Sequence, residues 1–349
     1  MNRKITKKIK LGNIYVGGDS NITVQSMTNT DTRDVDATVN QILDLEKAGC
    51  DIIRCAVPNI ASAEALKNII RQIHIPLVAD VHFDYKLALK SIESGVDALR
   101  INPGNIGNLD RIKMVVEAAK NRSIPIRIGV NSGSLEKDIL EKYTKVCPEA
   151  LVESALKHVR ILESLNFYDI CISIKSSDVM YMIKSCRLIS EKVNYPLHIG
   201  VTEAGTLWSG TIKSSIGIGT LLSEGIGATI RVSLTGDVLD EIKVGREILK
   251  SLGYIEEGIK FVSCPTCGRT QINLIKIAEE VEKRLSKCQK NIKVAIMGCI
   301  VNGPGEAREA DIGIAGGNGE GLIFKKGQVI KKVKEKNLVE ELIKEIEKL

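Results

Sequence analysis

The chain has 349 residues, of which 44% are hydrophobic, only 3% aromatic and 26% charged, with a formal net charge of +6. That length suits two domains rather than one, and Ile, Val, Leu and Ala must fill the core. Charges of both signs, with much of the surplus in Lys7-Lys8 and between Lys325 and Lys336, argue against a nucleic-acid-binding protein. With no apolar stretch near the roughly 20 residues of a membrane span and no secretory signal, no membrane role is expected and the chain is placed in the cytoplasm.

Strand-like segments are read at 22–27, 51–57, 77–82, 98–102, 126–131, 169–173 running into Lys175, 197–202 and 229–234. Amphipathic helical stretches such as 36–47, 61–72, 109–121, 150–165 and 179–193 separate them. Eight such units predict an α/β fold, an N-terminal (β/α)8 TIM barrel, with an open doubly wound sheet as the alternative. A weak repeat supports the barrel: the segments around Gly49, Gly95 and Gly225 each place a glycine where a helix ends and the next strand begins. Pro76, Pro125 and Pro196 mark the entry to three further strands. The rhythm changes after Leu252, so residues 1–252 are assigned to the barrel and 253–349 to a smaller α+β domain. There, strands at 259–263 and 293–297 flank a charged helix at 272–287, and a helix at 337–348 closes the chain. The glycine-rich segment from Gly316 to Gly321 reads as a hairpin turn rather than a phosphate loop, because a strand follows it.

Seven of the eight barrel strands end in polar or charged residues. These are Arg54; Asp80 and His82; Arg100 and Asn102; Arg127 and Asn131; Lys175; Glu203; and Arg231 and Ser233. The pairs are two or four residues apart, so each pair faces one side of its strand, at the end where barrels carry active sites. Two cations about 6 Å apart at an effective dielectric near 20 repel by roughly 3 kcal/mol. Asp80 and Glu203 offset only part of that. A substrate with several negative charges is therefore expected, with phosphates the best match to arginine forks and a lysine. The alternative is a network of ion pairs that staples the barrel. His82 reads either as a satisfied histidine or, with Asp80, as a catalytic group. Glu203 follows an apolar strand, where burial would make it a proton donor; it also reads as a partner for Lys175 or Arg231.

Nine cysteines without an export signal are expected to be reduced thiols. Cys50, Cys55 and Cys171 fall in strand-like runs, and Cys186 and Cys288 in helical ones, as small buried hydrophobes. Cys264-Pro265-Thr266-Cys267 presents two thiols on one turn, and Cys299 follows the next strand. No histidine lies beyond residue 198, so three thiols make a poor closed zinc site, whereas an iron–sulfur cluster tolerates a non-thiolate fourth ligand. Glu306, just after Gly303-Pro304-Gly305, is the candidate for it. The alternatives are a thioredoxin-like pair with an unrelated Cys299, or a zinc-stapled barrel that binds a phosphorylated ligand without redox chemistry.

These motifs resemble the bacterial two-domain 4-hydroxy-3-methylbut-2-enyl diphosphate synthases of the methylerythritol phosphate route to isoprenoids. The likeness runs nearly end to end through Val24 to Thr32, Ser263 to Thr270 and Gly298 to Glu306. It implies an oxidoreductase in which Cys264, Cys267, Cys299 and Glu306 hold a [4Fe–4S] cluster. It implies that Arg54, Arg100, Arg127, Lys175 and Arg231 clamp the diphosphate of 2-C-methyl-D-erythritol 2,4-cyclodiphosphate, helped by Asn102, Asn131 and Ser233. Asp80 and His82 would orient the polyol, and Glu203 would deliver a proton as hydroxyl leaves. It further implies two electrons from ferredoxin or flavodoxin, and a homodimer in which one subunit's cluster domain closes over the other's barrel.

Overall fold

A computed structural model of the protein describes residues 3–286, 288–299 and 308–349. It forms two compact units, Met1–Ile255 and Glu256–Leu349.

The first unit opens with an antiparallel hairpin of β1 (Ile9–Leu11) and β2 (Ile14–Val16). Then come β3 (Thr23–Met27), β4 (Ile52–Ala56), β5 (Leu77–Asp80), β6 (Ala98–Ile101), β7 (Ile126–Asn131), β8 (Ile170–Lys175), β9 (His198–Ile199) and β10 (Thr229–Ile230). They pair in parallel in the order β8-β7-β6-β5-β4-β3-β10-β9, and a single bridge, Ile172 to Leu197, joins the two ends. The result is a nearly closed eight-stranded barrel, as expected, and not an open sheet. The strands are β-branched runs because both of their faces are covered.

Around the strands run α1 (Val35–Lys47), α2 (Ile60–Ile70), α3 (Tyr85–Ser94), the short α4 (Pro103–Ile106) and α5 (Leu109–Asn121). They continue with α6 (Lys137–Tyr143), α7 (Pro148–Ser164), α8 (Val179–Lys192), α9 (Leu207–Ser223) and α10 (Val238–Ser251). Asp34, Asn59, Asp84, Asn108, Asp178 and Asp237 start six of these helices, each side chain accepting from a first-turn amide that would otherwise lack an acceptor. Gly49, Gly95 and Gly225 leave three helices with φ of 95°, 96° and 77°, a left-handed conformation that costs glycine least. Pro76, Pro125 and Pro196 lack an amide hydrogen, yet their carbonyls accept from Ile53, Leu99 and Ile172 at 3.0, 3.1 and 3.0 Å. The prolines thus start strands without breaking the ladder.

The N-terminal hairpin was not foreseen, because two three-residue strands carry too little periodicity to register. Its Ile9, Leu11 and Val16 pack with Ile52, Val78, Ala98, Cys171 and Ala228 to close the barrel floor.

The second unit is one five-stranded sheet in chain order: β11 (Lys260–Ser263), β12 (Lys293–Met297), β13 (Ile312–Gly316), β14 (Glu320–Lys325) and β15 (Gln328–Lys334). The first three are parallel and the last two antiparallel. Helices α11 (Leu274–Leu285) and α12 (Leu338–Glu347) pack with Val294, Ile296, Ile312, Ile314 and Ile323, while Ala295, Met297, Ala315 and Phe324 form a separate cluster. The turn expected near Gly319 is present between β13 and β14. The lysine-rich run between Lys325 and Lys336 contains the exposed edge strand β15, where lysines discourage pairing with another sheet. Cys288 lies beyond the end of α11 rather than within a helix. Among the described residues, no helix is long and apolar enough to cross a membrane.

Candidate active site

Inside the barrel, side chains two residues apart on one strand share a face, so the apolar floor gives way to charge within one step. Ile52 is followed by Arg54, Val78 by Asp80 and Ala98 by Arg100. The register sets Asp80 beside Arg100, and Arg100 beside Arg127. Asn131 lies beside Lys175 at the ends of β7 and β8.

Asp80 is the hub. Its carboxylate lies 3.6 Å from Arg54 Nε, 3.3 Å from Arg100 Nη1 and 3.4 Å from His82 Nε2. Burial alone would raise its pKa, but Arg54, His82 and Arg100 together hold it below the usual carboxylate range. Arg100 Nη1 also reaches His82 Nδ1 at 3.2 Å. The Arg54 fork approaches Met27 Sδ at 3.0 and 3.3 Å. Across the barrel Arg127 donates to Gln25 Oε1, while Arg127 Nε and Nη2 are buried without an acceptor among the described residues. On the opposite side Arg231 Nη2 lies 3.5 Å from Glu241 Oε2, and Glu241 also accepts from Ser26 Oγ and the Leu234 amide.

Lys175 is buried, and burial with Arg231, Arg54 and Arg127 nearby pushes its amine well below the ordinary lysine value. No acceptor bonds it among the described residues. Burial and neighbouring guanidinium groups depress Arg54 and Arg127 in the same sense. Five basic side chains thus share two buried carboxylates, Asp80 and Glu241. Such orphaned buried donors are characteristic of a site built for anionic oxygens.

The structure brings together Arg54, Asp80, His82, Arg100, Arg127, Lys175 and Arg231. Arg127 also lines a small cavity over the floor, together with Gln25 and Cys171, so it sits deep in the barrel. Asn102 is buried, and its Oδ1 caps α4 through the Gly104 amide at 3.2 Å, a structural task for a residue expected to bind substrate. Ser233 is half-buried just past β10. Glu203 departs from expectation. It is exposed with a φ of +52°, so the desolvation invoked for it is absent, and Glu241 rather than Glu203 neutralises Arg231. That φ is uncommon outside glycine and marks a strained loop at the mouth.

In the second unit, Cys264 and Cys267 follow β11, and Cys299 follows the parallel neighbour β12. The Gly298 amide donates to Cys264 Sγ at 3.1 Å, and Gln271 N bonds Gly298 O, tying the two cysteine loops together. Backbone and side-chain hydrogen bonds from Arg269 lower the Cys267 thiol pKa. Amide-to-sulfur bonds and thiolate-favouring surroundings suit soft metal ligation in their donor chemistry, but among the described residues no three His, Cys, Asp or Glu side chains come together as a metal site. Glu306 lies outside the described residues.

Two family models match the chain: the GcpE TIM-barrel domain over residues 6–246 and the GcpE protein C-terminal domain over 260–348. The chain belongs to the GcpE family. Its relatives include 4-hydroxy-3-methylbut-2-en-1-yl diphosphate synthase (flavodoxin) of Clostridium perfringens, 70% identical over 99% of both chains. The protein of that name from Clostridium acetobutylicum is 70% identical over 100% of both. A distant likeness of fold alone extends to 3-dehydroquinate dehydratase from Geobacillus kaustophilus, at 14% identity and TM-score 0.50, covering 72% of this chain and 99% of that one. A 7,8-dihydropteroate synthase from Vibrio fischeri is comparable, at 12% identity and TM-score 0.50 over 71% and 98%.

In this GcpE chain three mouth neighbours escaped the sequence reading. Gln25 carried a usable signal, a polar residue at an inward position of a buried strand. His198 carried the same one; it is buried, and burial beside Arg127 and Lys175 keeps its imidazole well below the ordinary pKa, hence neutral. Glu241 carried none, because Asp240 beside it in the first turn of α10 fits the same pattern. The zinc-stapled alternative finds no support in the GcpE relatives, and no histidine lies in the second unit.

Proposed function

We propose that this protein catalyses the reductive ring opening and dehydration of 2-C-methyl-D-erythritol 2,4-cyclodiphosphate to (E)-4-hydroxy-3-methylbut-2-enyl diphosphate, with flavodoxin as electron donor. Two electrons and two protons enter, and one water leaves. The observation that carries this reading is the excess of basic groups at the barrel mouth, five of them with Arg100, Arg127 and Lys175 buried, against the carboxylates of Asp80 and Glu241. A cyclic diphosphate supplies the missing negative charge, and family membership supplies the reaction class.

In this reading Arg54, Arg100, Arg127, Lys175 and Arg231 bind the diphosphate, with Asn131 and Ser233 adding hydrogen bonds. The Asn102 side-chain amide remains for substrate while its oxygen caps α4. Asp80 fixes the Arg54 and Arg100 forks and, with His82, orients the polyol. Glu203, held at the solvent edge by its left-handed backbone, hands a proton to the departing hydroxyl. Cys264, Cys267, Cys299 and Glu306 hold a [4Fe–4S] cluster, which when bound supplies the electrons. Such a cluster must be brought to a barrel and shielded from water, and we read the protein as a homodimer on that ground.

The test is anaerobic. Brown protein with about four irons per chain, given reduced flavodoxin and the cyclic diphosphate, should form the linear product by mass spectrometry. It should sediment as a dimer. Absence of product with the iron fully loaded would refute the activity, and full activity in a strict monomer would refute the assembly.

A further inference from the structure

Gly129 stands in the middle of β7, between the inward-facing Arg127 and Asn131. Its φ lies outside the left-handed region, so its backbone does not demand glycine. Space does. A Cβ placed there would lie 2.3 Å from Arg100 Nε, 2.6 Å from Nη2 and 2.8 Å from Cζ, its three nearest neighbours. Ordinary contact between heavy atoms begins near about 3.5 Å, so the guanidinium would have to retreat by about an ångström. Arg100 lies flat over this strand, its Nη2 donating to Gly129 O at 3.4 Å while Nη1 reaches Asp80 and His82. Its side chain is only 8% exposed, so little other room is open to it.

We infer that Gly129 is a positioning residue: the missing side chain forms a socket that sets where the Arg100 fork meets a phosphoryl group of the substrate. The inference rests on the diphosphate reading of the mouth and deepens it. Gly129 differs from Gly200, whose added Cβ would strike the Arg231 backbone oxygen at 2.2 Å and so must move a strand. At Gly129 the obstacle is the tip of a flexible side chain. A methyl group there should therefore displace the fork and leave the barrel folded.

Gly129→Ala in the full-length chain tests this, with inorganic pyrophosphate as the calorimetric probe. Wild-type melting is expected, with pyrophosphate affinity and kcat/KM for the cyclic diphosphate each down about 10-fold to 100-fold. Arg100→Lys, harmful alone, should cost much less in the Gly129→Ala background, because lysine has no fork to collide. Unchanged affinity in Gly129→Ala, or strictly additive losses in the double variant, would overturn the socket. If Gly129→Ala melts early, adding Arg100→Ala must restore the melting temperature; failure to do so also overturns it. A wild-type protein that binds no pyrophosphate removes the diphosphate reading and the socket together, whereas wild-type binding without coupling removes only the socket.

Discussion

The two ends of one set of barrel strands carry opposite kinds of side chain. At the floor, Ile52, Val78, Ala98, Cys171 and Ala228 meet a hairpin through Ile9, Leu11 and Val16, and Arg127 is the charged side chain that reaches down to the small cavity most of them line. One inward step along the strands, Arg54, Asp80 and Arg100 stand above Ile52, Val78 and Ala98, and Lys175 lies four residues beyond Cys171. The backbone and its hydrogen bonds are shared, so the contrast comes from side chains alone. One end contributes stability by burying apolar surface, and the other gives some of it up by burying cations without enough partners. This division is what a binding site costs a barrel.

The sharpest way to break the contrast is Asp80→Asn, which removes the carboxylate shared by Arg54, Arg100 and His82. Leaving buried guanidinium groups unpaired should cost about 3 to 5 kcal/mol of stability by chemical denaturation and abolish measurable turnover. The wild-type pH profile should agree. A carboxylate held below its usual range stabilises the fold above the unfolded pKa near about 4 and loses that contribution as pH falls further. Acid unfolding should therefore begin below about pH 4, and less steeply in Asp80→Asn. Unchanged denaturation in Asp80→Asn would show that the mouth is solvated rather than strained.

Ile9→Ala probes the floor. Deleting this buried side chain should cost about 2 to 4 kcal/mol while pyrophosphate affinity stays at the wild-type value. A change in affinity would mean that the two layers are mechanically coupled.

Lys175→Met is predicted to have the smallest effect on stability and the opposite sign, a gain of about 1 to 3 kcal/mol with loss of anion binding. Burial holds the Lys175 amine well below 10.5 in the folded chain. The unfolded chain then binds the extra proton in that window, so wild-type stability should climb as pH rises toward 10.5, and the Met variant should lose this slope. An arriving diphosphate favours the ammonium form, so affinity should fall as pH rises toward 10.5 and the amine loses its proton, measurable by calorimetry over a pH series. A pH-independent affinity would place the phosphate away from Lys175.

The mouth was legible because polar residues at strand ends interrupt otherwise apolar runs at two-residue spacing, a pattern that alternation alone explains. The barrel was legible for the same reason, together with the Gly49, Gly95 and Gly225 repeat. What the residues alone left open was local. Asn102 before Pro103-Gly104 suits a helix cap as well as a ligand, and the fold uses it as a cap. The loop conformation at Glu203 depends on one backbone angle that composition does not encode. Partners brought in from helices, as Glu241 is for Arg231, depend on how a helix docks rather than on its own pattern.

The hairpin beneath the barrel has a further consequence. An apolar, low-dielectric base beneath a layer of positive charge screens it less than water does and directs its field preferentially through the solvated opening. A polyanion diffusing nearby would be drawn in along that axis, and its association rate should decline steeply with ionic strength while the rate of leaving changes little. The short strands that seal the bottom would then act as an insulating backplate for capture at the top.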